Sequence, residues 1–163
     1  MKSDSIDNIF MEKYEKYSKM LFRIAFFQLG STHDAEDVLQ NVFIKLLYNA
    51  PAFKDDEHEK AWLIRVTQNQ CKNMLKSHSR KNCELNEEIA SDSMGDVSKA
   101  LDIAMKVRAL PVNYKTAIFL FYYEDMSTEE IARALKISRS AVKMRLKRGR
   151  ELLKTELEEY EYE

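Results

Sequence analysis

The sequence predicts an all-α chain: two small helical domains joined by a flexible acidic linker, the C-terminal one a helix-turn-helix. Three observations predict it. Only 3 glycines and 2 prolines punctuate 163 residues, too few for the turns that hairpins and sandwiches need. Apolar residues recur at three- and four-residue steps, the period of a helix that buries one face. Charge comes in blocks: Ala61 to Cys83 holds Arg65, Lys72, Lys76, Arg80 and Lys81 with no acid, and Glu84 to Ser98 holds five acids with no base. The second block is low in hydrophobicity and single in sign, as a linker is. The predicted division is residues 1–82, a linker over 83–98, and residues 99–163.

The first helix is expected over about Ile6 to Leu29, with Ile9, Phe10, Tyr14, Tyr17, Leu21, Ile24 and Phe27 or Gln28 tracing its stripe. Gly30 ends it. Ser31 or Thr32 caps the next helix, whose first turn carries Asp34, Glu36 and Asp37 as the helix dipole favours. That helix stops before Pro51. FKDDEHEK reads as a charged loop, and Ala61 to about Arg80 as a third helix with Trp62, Val66 and Met74 facing inward. Asn69 and Asn73, four apart beside Arg65, Lys72 and Lys76, fit hydrogen bonding to bases or phosphates and an ordinary solvent face equally well. After the linker, Leu101, Ala104, Met105 and Val107 or Arg108 begin a helix that ends before Pro111, and Asn113 to Tyr123 forms another. Its aromatic run FLFYYED is expected to be core.

The most informative stretch is Ser127 to Lys154. Ser127 and Glu130 form a capping box that starts a helix, with Ile131, Ala134 and Leu135 as its apolar stripe. Lys136 stands in the turn, where a left-handed backbone is wanted; lysine there costs about 1 kcal/mol relative to glycine. Ser138 caps the second helix. Val142, Leu146, Gly149 and Leu153 fall on one side of it, and Arg139, Lys143, Lys147 and Arg150 on another. From Ser127 to Arg150 eight bases stand against two acids, a net of +6 in a chain whose total is −1. One-sign clustering on such a motif is the footprint of a DNA-reading helix. The tail, Glu151 to Glu163, has six glutamates and one lysine, and its end, Glu156 to Glu163, is expected to fold over the basic helix, lowering DNA binding by the free protein.

Other classes find little support. Cys71 and Cys83 lack metal-ligand or disulfide spacing. His33, His58 and His78 are scattered, and neither a nucleophile triad nor a glycine-rich phosphate loop is present, so neither an enzyme nor a cofactor is expected. No apolar run approaches a membrane span, and MKSDSIDNIF lacks a signal peptide's plan, so no membrane insertion and a cytoplasmic location are expected.

LPVNYKTAIFLFYYEDMSTEEIARALKISRSAVKMRLKRGRELLK resembles the C-terminal region of bacterial sigma factors, and DAEDVLQNVFIKLLYNAPAF with AWLIRVTQNQCKNMLKSHSRK resembles their second region. The chain thus looks like an extracytoplasmic-function (ECF) sigma factor of the sigma-70 family. The resemblance implies a protein that binds core RNA polymerase, through the largest subunit's coiled coil and the flap region, directs it to promoter DNA and helps melt the duplex. Polymerase docking carries over to Asp37, Gln40 and Asn41, the last where many members have glutamate. Single-strand reading of the downstream element carries over to Asn69 and Asn73, with Arg65 and Lys72 as backbone contacts. Duplex reading of the upstream element carries over to Lys143, Met144, Lys147 and Arg148, with Arg139 and Ser140 near phosphates. An anti-sigma factor is the further partner it implies. FKDDEHEK is more acidic than a path for unstacked DNA would favour. The competing reading is a stand-alone helix-turn-helix transcriptional regulator whose N-terminal half dimerises or binds a ligand.

Overall fold

The computed structural model describes residues 2–81, 103 and 105–161, with side chains for 3–79, 103 and 105–154. The described residues are helices and short connections, with no strand among them. The chain divides into two compact units, Met1–Glu88 and Ile89–Glu163. The expected linker over 83–98 lies outside the described residues, as do Leu101 and Ala104.

The first unit is built from α1 (Lys2–Leu29), α2 (Thr32–Asn49) and α3 (Asp56–Lys81). Gly30, at φ 69°, turns the chain after α1, and its N–H closes on the Phe26 carbonyl at 2.8 Å; glycine takes this left-handed backbone without cost. Ser31 then caps α2, its hydroxyl accepting from the Asp34 N–H at 3.2 Å. All three helices contribute to one core, in which Leu21, Ile24, Val38, Val42, Leu63 and Ile64 are wholly buried. Each such side chain contributes roughly 1.5–3 kcal/mol of burial. The buried Thr67 hydroxyl is satisfied by the Leu63 carbonyl at 2.8 Å, and the Gln28 amide donates to Gln68 across α1 and α3.

Two expectations for this unit are corrected. Most of FKDDEHEK is not loop: α3 begins at Asp56. The Asp55 carboxylate accepts from the His58 N–H at 2.7 Å, as a cap does, and Asp56, Glu57 and Glu59 sit in the first turn, where negative charge meets the helix dipole favourably. Lys13 and Lys16 of α1 reach Glu59 at 2.5 Å and Asp56 at 3.3 Å, so part of that acidity is matched within the unit. The inward face of α3 is Leu63, Ile64, Thr67, Gln68 and Cys71. Trp62 lies one residue outside that phase and is half-buried, edge-on to Phe53 at 5.6 Å.

In the second unit residues 105–109 are helical, with Val107 and Leu110 buried before Pro111. α4 (Val112–Tyr122) follows, with six consecutive residues, Lys115 to Leu120, buried. A helix covered on every side shows no clean periodicity, which is why its stripe reads poorly. The run FLFYYED therefore splits: Phe119 and Leu120 are core, whereas Tyr122 and Tyr123 are about half exposed. α5 (Thr128–Leu135) and α6 (Arg139–Glu161) complete the unit. α6 runs unbroken to Glu161, so through that residue the acidic tail extends the helix where a fold back over its basic face was expected.

Candidate nucleic-acid interface

The helix-turn-helix is assembled by local chemistry. The Ser127 hydroxyl accepts from the Glu130 N–H and the Glu130 carboxylate accepts from the Ser127 N–H, both at 3.1 Å, the reciprocal capping box. Lys136 ends α5 at φ 54°, ψ 48°, left-handed as its place in the turn predicts, and the Ile137 N–H bonds the Ala132 carbonyl at 3.1 Å. Ser138 then caps α6, accepting from the Ala141 N–H at 3.1 Å.

Those caps set the rotation of α6. Val142, Leu146 and Gly149 are buried, and α6 packs on both α4 and α5. At about 100° per residue the opposite arc holds Ser140, Lys143, Met144, Lys147 and Arg148, all exposed. Met144, 48% exposed between Lys143 and Lys147, is an apolar contact set among cations. Arg139 and Arg150 flank this face. The Arg139 guanidinium pairs with Glu129 at 3.2 Å, both ends exposed, an interaction worth under about 1 kcal/mol that phosphate can displace. Arg150 donates to the Tyr122 hydroxyl at 3.1 Å.

On α3, steps of four, three and one residues carry Arg65, Asn69, Lys72 and Asn73 onto a single arc. Asn69, Lys72 and Asn73 are exposed. Arg65 is half-buried, and that burial pushes its guanidinium below the usual arginine value; it roots the arc in the unit. On α2 the outward face holds Gln40 and Asn41, both exposed, and the half-buried Asp37. His33 Nε2 lies 3.7 Å from the Asp37 carboxylate, and His78 Nε2 lies 3.3 Å from Asp34, tying the end of α3 to the start of α2. The same α2 face continues into Ile44, Leu47 and Tyr48, exposed at 50, 47 and 80%. Sequence reasoning missed these three. The available signal was apolar residues on two sides of α2, Val38, Val42 and Leu46 on one and Ile44, Leu47 and Tyr48 on another, a stripe too wide for one buried face.

A capped helix-turn-helix with a one-sign exposed face, behind a helical unit carrying its own cationic arc, defines a two-part DNA-binding protein of all-helical build. The comparisons with known proteins agree. The family model described as Sigma-70 region 2 matches residues 14–81, and that described as Sigma-70, region 4 matches residues 100–153. The chain belongs to the ECF sigma factors of the sigma-70 family. It is 26% identical over 166 residues to the ECF RNA polymerase sigma factor SigW of Bacillus subtilis, covering 91% of this chain and 88% of that one. It is 29% identical over 138 residues to the RNA polymerase sigma factor SigV of the same organism, covering 83% of each. Among solved structures it resembles the sigma factor RpoE in complex with the anti-sigma factor NepR from Bartonella quintana, with a TM-score of 0.73, 20% identity and coverage of 91% of this chain and 96% of that one. It also resembles CnrH in complex with the cytosolic domain of CnrY, with a TM-score of 0.70, 22% identity and coverage of 93 and 89%. Sigma factors of this family direct RNA polymerase to promoters, and this chain is one of them. The stand-alone regulator reading loses its basis, because the N-terminal half is itself sigma region 2. Among the described residues no helix is long and apolar enough to cross a membrane.

Proposed function

We propose that the two units divide the work of promoter recognition. Residues 1–82 dock on the coiled coil of the polymerase's largest subunit through Asp37, Gln40 and Asn41. They read the downstream element as single strand, with Asn69 and Asn73 hydrogen-bonding to unstacked bases and Arg65 and Lys72 holding the backbone, which assists melting. Residues 99–163 read the upstream element as duplex and lie against the flap region. Lys143, Met144, Lys147 and Arg148 enter the major groove, while Arg139 and Ser140 meet flanking phosphates. The protein is a non-catalytic factor working in the cytoplasm; the chemistry belongs to the polymerase.

One observation carries this reading: the exposed arc of α6 holds polar, cationic and apolar groups in one row while the buried side of the same helix is locked into the unit. Phosphate contacts position a protein and base contacts specify, and this row offers both. Because each unit binds weakly alone, specific promoter binding is expected only when polymerase holds the two at the right separation.

Run-off transcription with bacterial core RNA polymerase tests it. The chain should produce new specific transcripts that Asp37→Ala with Gln40→Ala abolishes. Tight, specific duplex binding by the chain alone, with no transcripts, would sink the proposal. One similar solved structure holds a sigma factor with an anti-sigma factor, and the other holds CnrH with the cytosolic domain of CnrY; the first supports an anti-sigma factor for this chain too. Affinity purification from unstressed native cells should recover it.

A further inference from the structure

We propose that Arg150 of α6 and the Tyr122 hydroxyl of α4 form a clamp for one backbone phosphate of the promoter duplex, Tyr122 holding the guanidinium where the phosphate arrives. This rests on the reading that α6 enters the major groove of the upstream element, and adds to it two residues that the reading does not use.

The pair is built by the packing of α6 on α4. Gly149 is buried against Ile118, and Tyr122 stands one turn beyond Ile118 on α4. The next residue of α6, Arg150, is thereby brought to α4, where its Nη1 donates to the Tyr122 hydroxyl at 3.1 Å. The Phe121 ring stands edge-on to the Tyr122 ring at 5.0 Å. Both members are exposed, Tyr122 at 50%, so the pair is open to a ligand.

The chemistry of the pair suits an anion. A guanidinium carries several N–H donors in a planar fork, and one bond to Tyr122 leaves others for a phosphate. The phenol is neutral, so it holds the cation without cancelling its charge, whereas Glu129 partly cancels that of Arg139. Having accepted from Arg150, the hydroxyl can donate its own proton to the same phosphate, and arginine and tyrosine are both among the groups that bind DNA backbone. An arginine fixed in advance loses less side-chain entropy on binding.

Position selects the phosphate over a base edge. Around the axis of α6, Arg150 falls between Arg139 and Lys143, within roughly 20° of each, and it lies roughly 16 Å beyond Arg139 along the helix. A recognition helix sets its N-terminal residues on the base edges, and the major groove is only about 12 Å wide. Three turns on, Arg150 has therefore passed the bases and stands at the sugar-phosphate wall. Its contact carries no sequence information and adds affinity to every promoter alike.

The test is equilibrium binding of the polymerase holoenzyme to promoter DNA and to single-base variants of its upstream element across salt concentrations. Each chain's affinity for core polymerase and its melt by helical circular dichroism are measured alongside. Arg150→Ala should weaken promoter binding roughly fivefold at low salt, equally for all variants, and lower the salt slope by about 1. Tyr122→Phe keeps the ring and removes the hydroxyl; it should weaken binding roughly threefold in the wild-type chain and not at all in the Arg150→Ala chain. If Lys143→Ala with Lys147→Ala weakens promoter binding and Arg150→Ala does not, the clamp is overturned and α6 stays in the groove. If neither weakens it, the reading of α6 itself fails. A Tyr122→Phe loss of equal size in both chains, or in neither, removes Tyr122 from the clamp and overturns the proposal. An Arg150→Ala loss that relaxes preference at one base pair makes Arg150 a base reader, and a loss confined to core-polymerase affinity makes it a polymerase contact; each overturns the proposal. Should Tyr122→Phe lower the melt, Arg150→Lys, which keeps the charge without the planar fork, must still weaken promoter binding, and unchanged affinity in that variant overturns the proposal.

Discussion

Gly149 of α6 lies so close to Ile118 of α4 that a β-carbon placed on it would sit 2.9 Å from Ile118 Cγ1 and 3.2 Å from Cδ1. Glycine inside a helix costs about 1 kcal/mol relative to alanine, and what offsets it here is the close packing of the Ile118 side chain of α4 against the α6 backbone. That approach fixes how far α6 sits from α4, and so how its basic face is presented.

Gly149→Ala therefore sets a helix-propensity gain of about 1 kcal/mol against overpacking of about 1–3 kcal/mol, and should destabilise by about 0–2 kcal/mol. Gly149→Leu has no such compromise and should destabilise the second unit by at least about 2 kcal/mol. Trp62 is the chain's single tryptophan and lies in the first unit, so the loss should appear in helical circular dichroism and not in tryptophan fluorescence. A Gly149→Leu chain that melts like wild type by both probes would refute the close approach.

Tyr17 is buried in the first unit with no hydrogen-bond partner for its hydroxyl. Burial, and then the neighbouring Glu59 carboxylate, push that hydroxyl above its ordinary value near 10. A group whose folded value is raised gives stability that is intact below its unfolded value and lost as pH rises through the folded one. The first unit should hold its stability up to about pH 10 and lose it above. Tyr17→Phe removes a buried unpaired hydroxyl, so at pH 7 it should be neutral or stabilising by about 1 kcal/mol. It should also flatten the alkaline limb. Trp62-monitored denaturation across pH reads both; a Tyr17→Phe chain with an unchanged alkaline limb would assign that limb to other groups.

Lys136 occupies the left-handed turn with its side chain exposed. Nothing holds the lysine there beyond the backbone, so Lys136→Gly should relieve the strain and stabilise the second unit by about 0.5–1 kcal/mol. Run-off transcription should not change. A destabilised glycine variant would mean that the lysine makes a contact worth more than the strain it carries.

The turn was legible in advance because its signals are local. A serine three residues before a glutamate, a glycine after a long apolar stripe and a lysine at a left-handed position each act within one turn of chain, and Ser127, Gly30 and Lys136 all do as their positions imply. What escaped reading acts at a distance. The cations that match part of the acidity at the start of α3, Lys13 and Lys16, lie 46 and 40 residues from their partners in sequence, so its acids looked like solvent loop. The inward phase of α3 favours Leu63 and Ile64 over Trp62 because neighbouring helices pack there. The apolar end of the α2 face shows in the sequence only as a stripe too wide for one buried face, and which side is left exposed is settled by packing. In the candidate site the same division holds: α6 presents its row as its spacing implies, whereas the half-burial of Arg65 and the Glu129 partner of Arg139 are tertiary facts.

The row on α6 makes a separable prediction for its cations and its methionine. Lys143 and Lys147 are exposed ammonium groups on either side of Met144, and each phosphate they neutralise releases about one counterion. Lys143→Ala with Lys147→Ala should thus weaken binding of the polymerase holoenzyme, lower the salt slope by up to about 2 and relax preference at the base pairs these lysines face in the major groove. Met144 carries no charge, and its thioether can report only on what lies in the groove, such as a thymine methyl. Met144→Ala should leave the salt slope unchanged and alter preference at one base pair of the upstream element by about 1 kcal/mol. Holoenzyme binding to a panel of single-base promoter variants, repeated across salt concentrations, separates the two effects. If the lysine variant instead weakens binding to all promoter variants alike, both lysines hold phosphates and base reading by α6 rests on Met144 and Arg148.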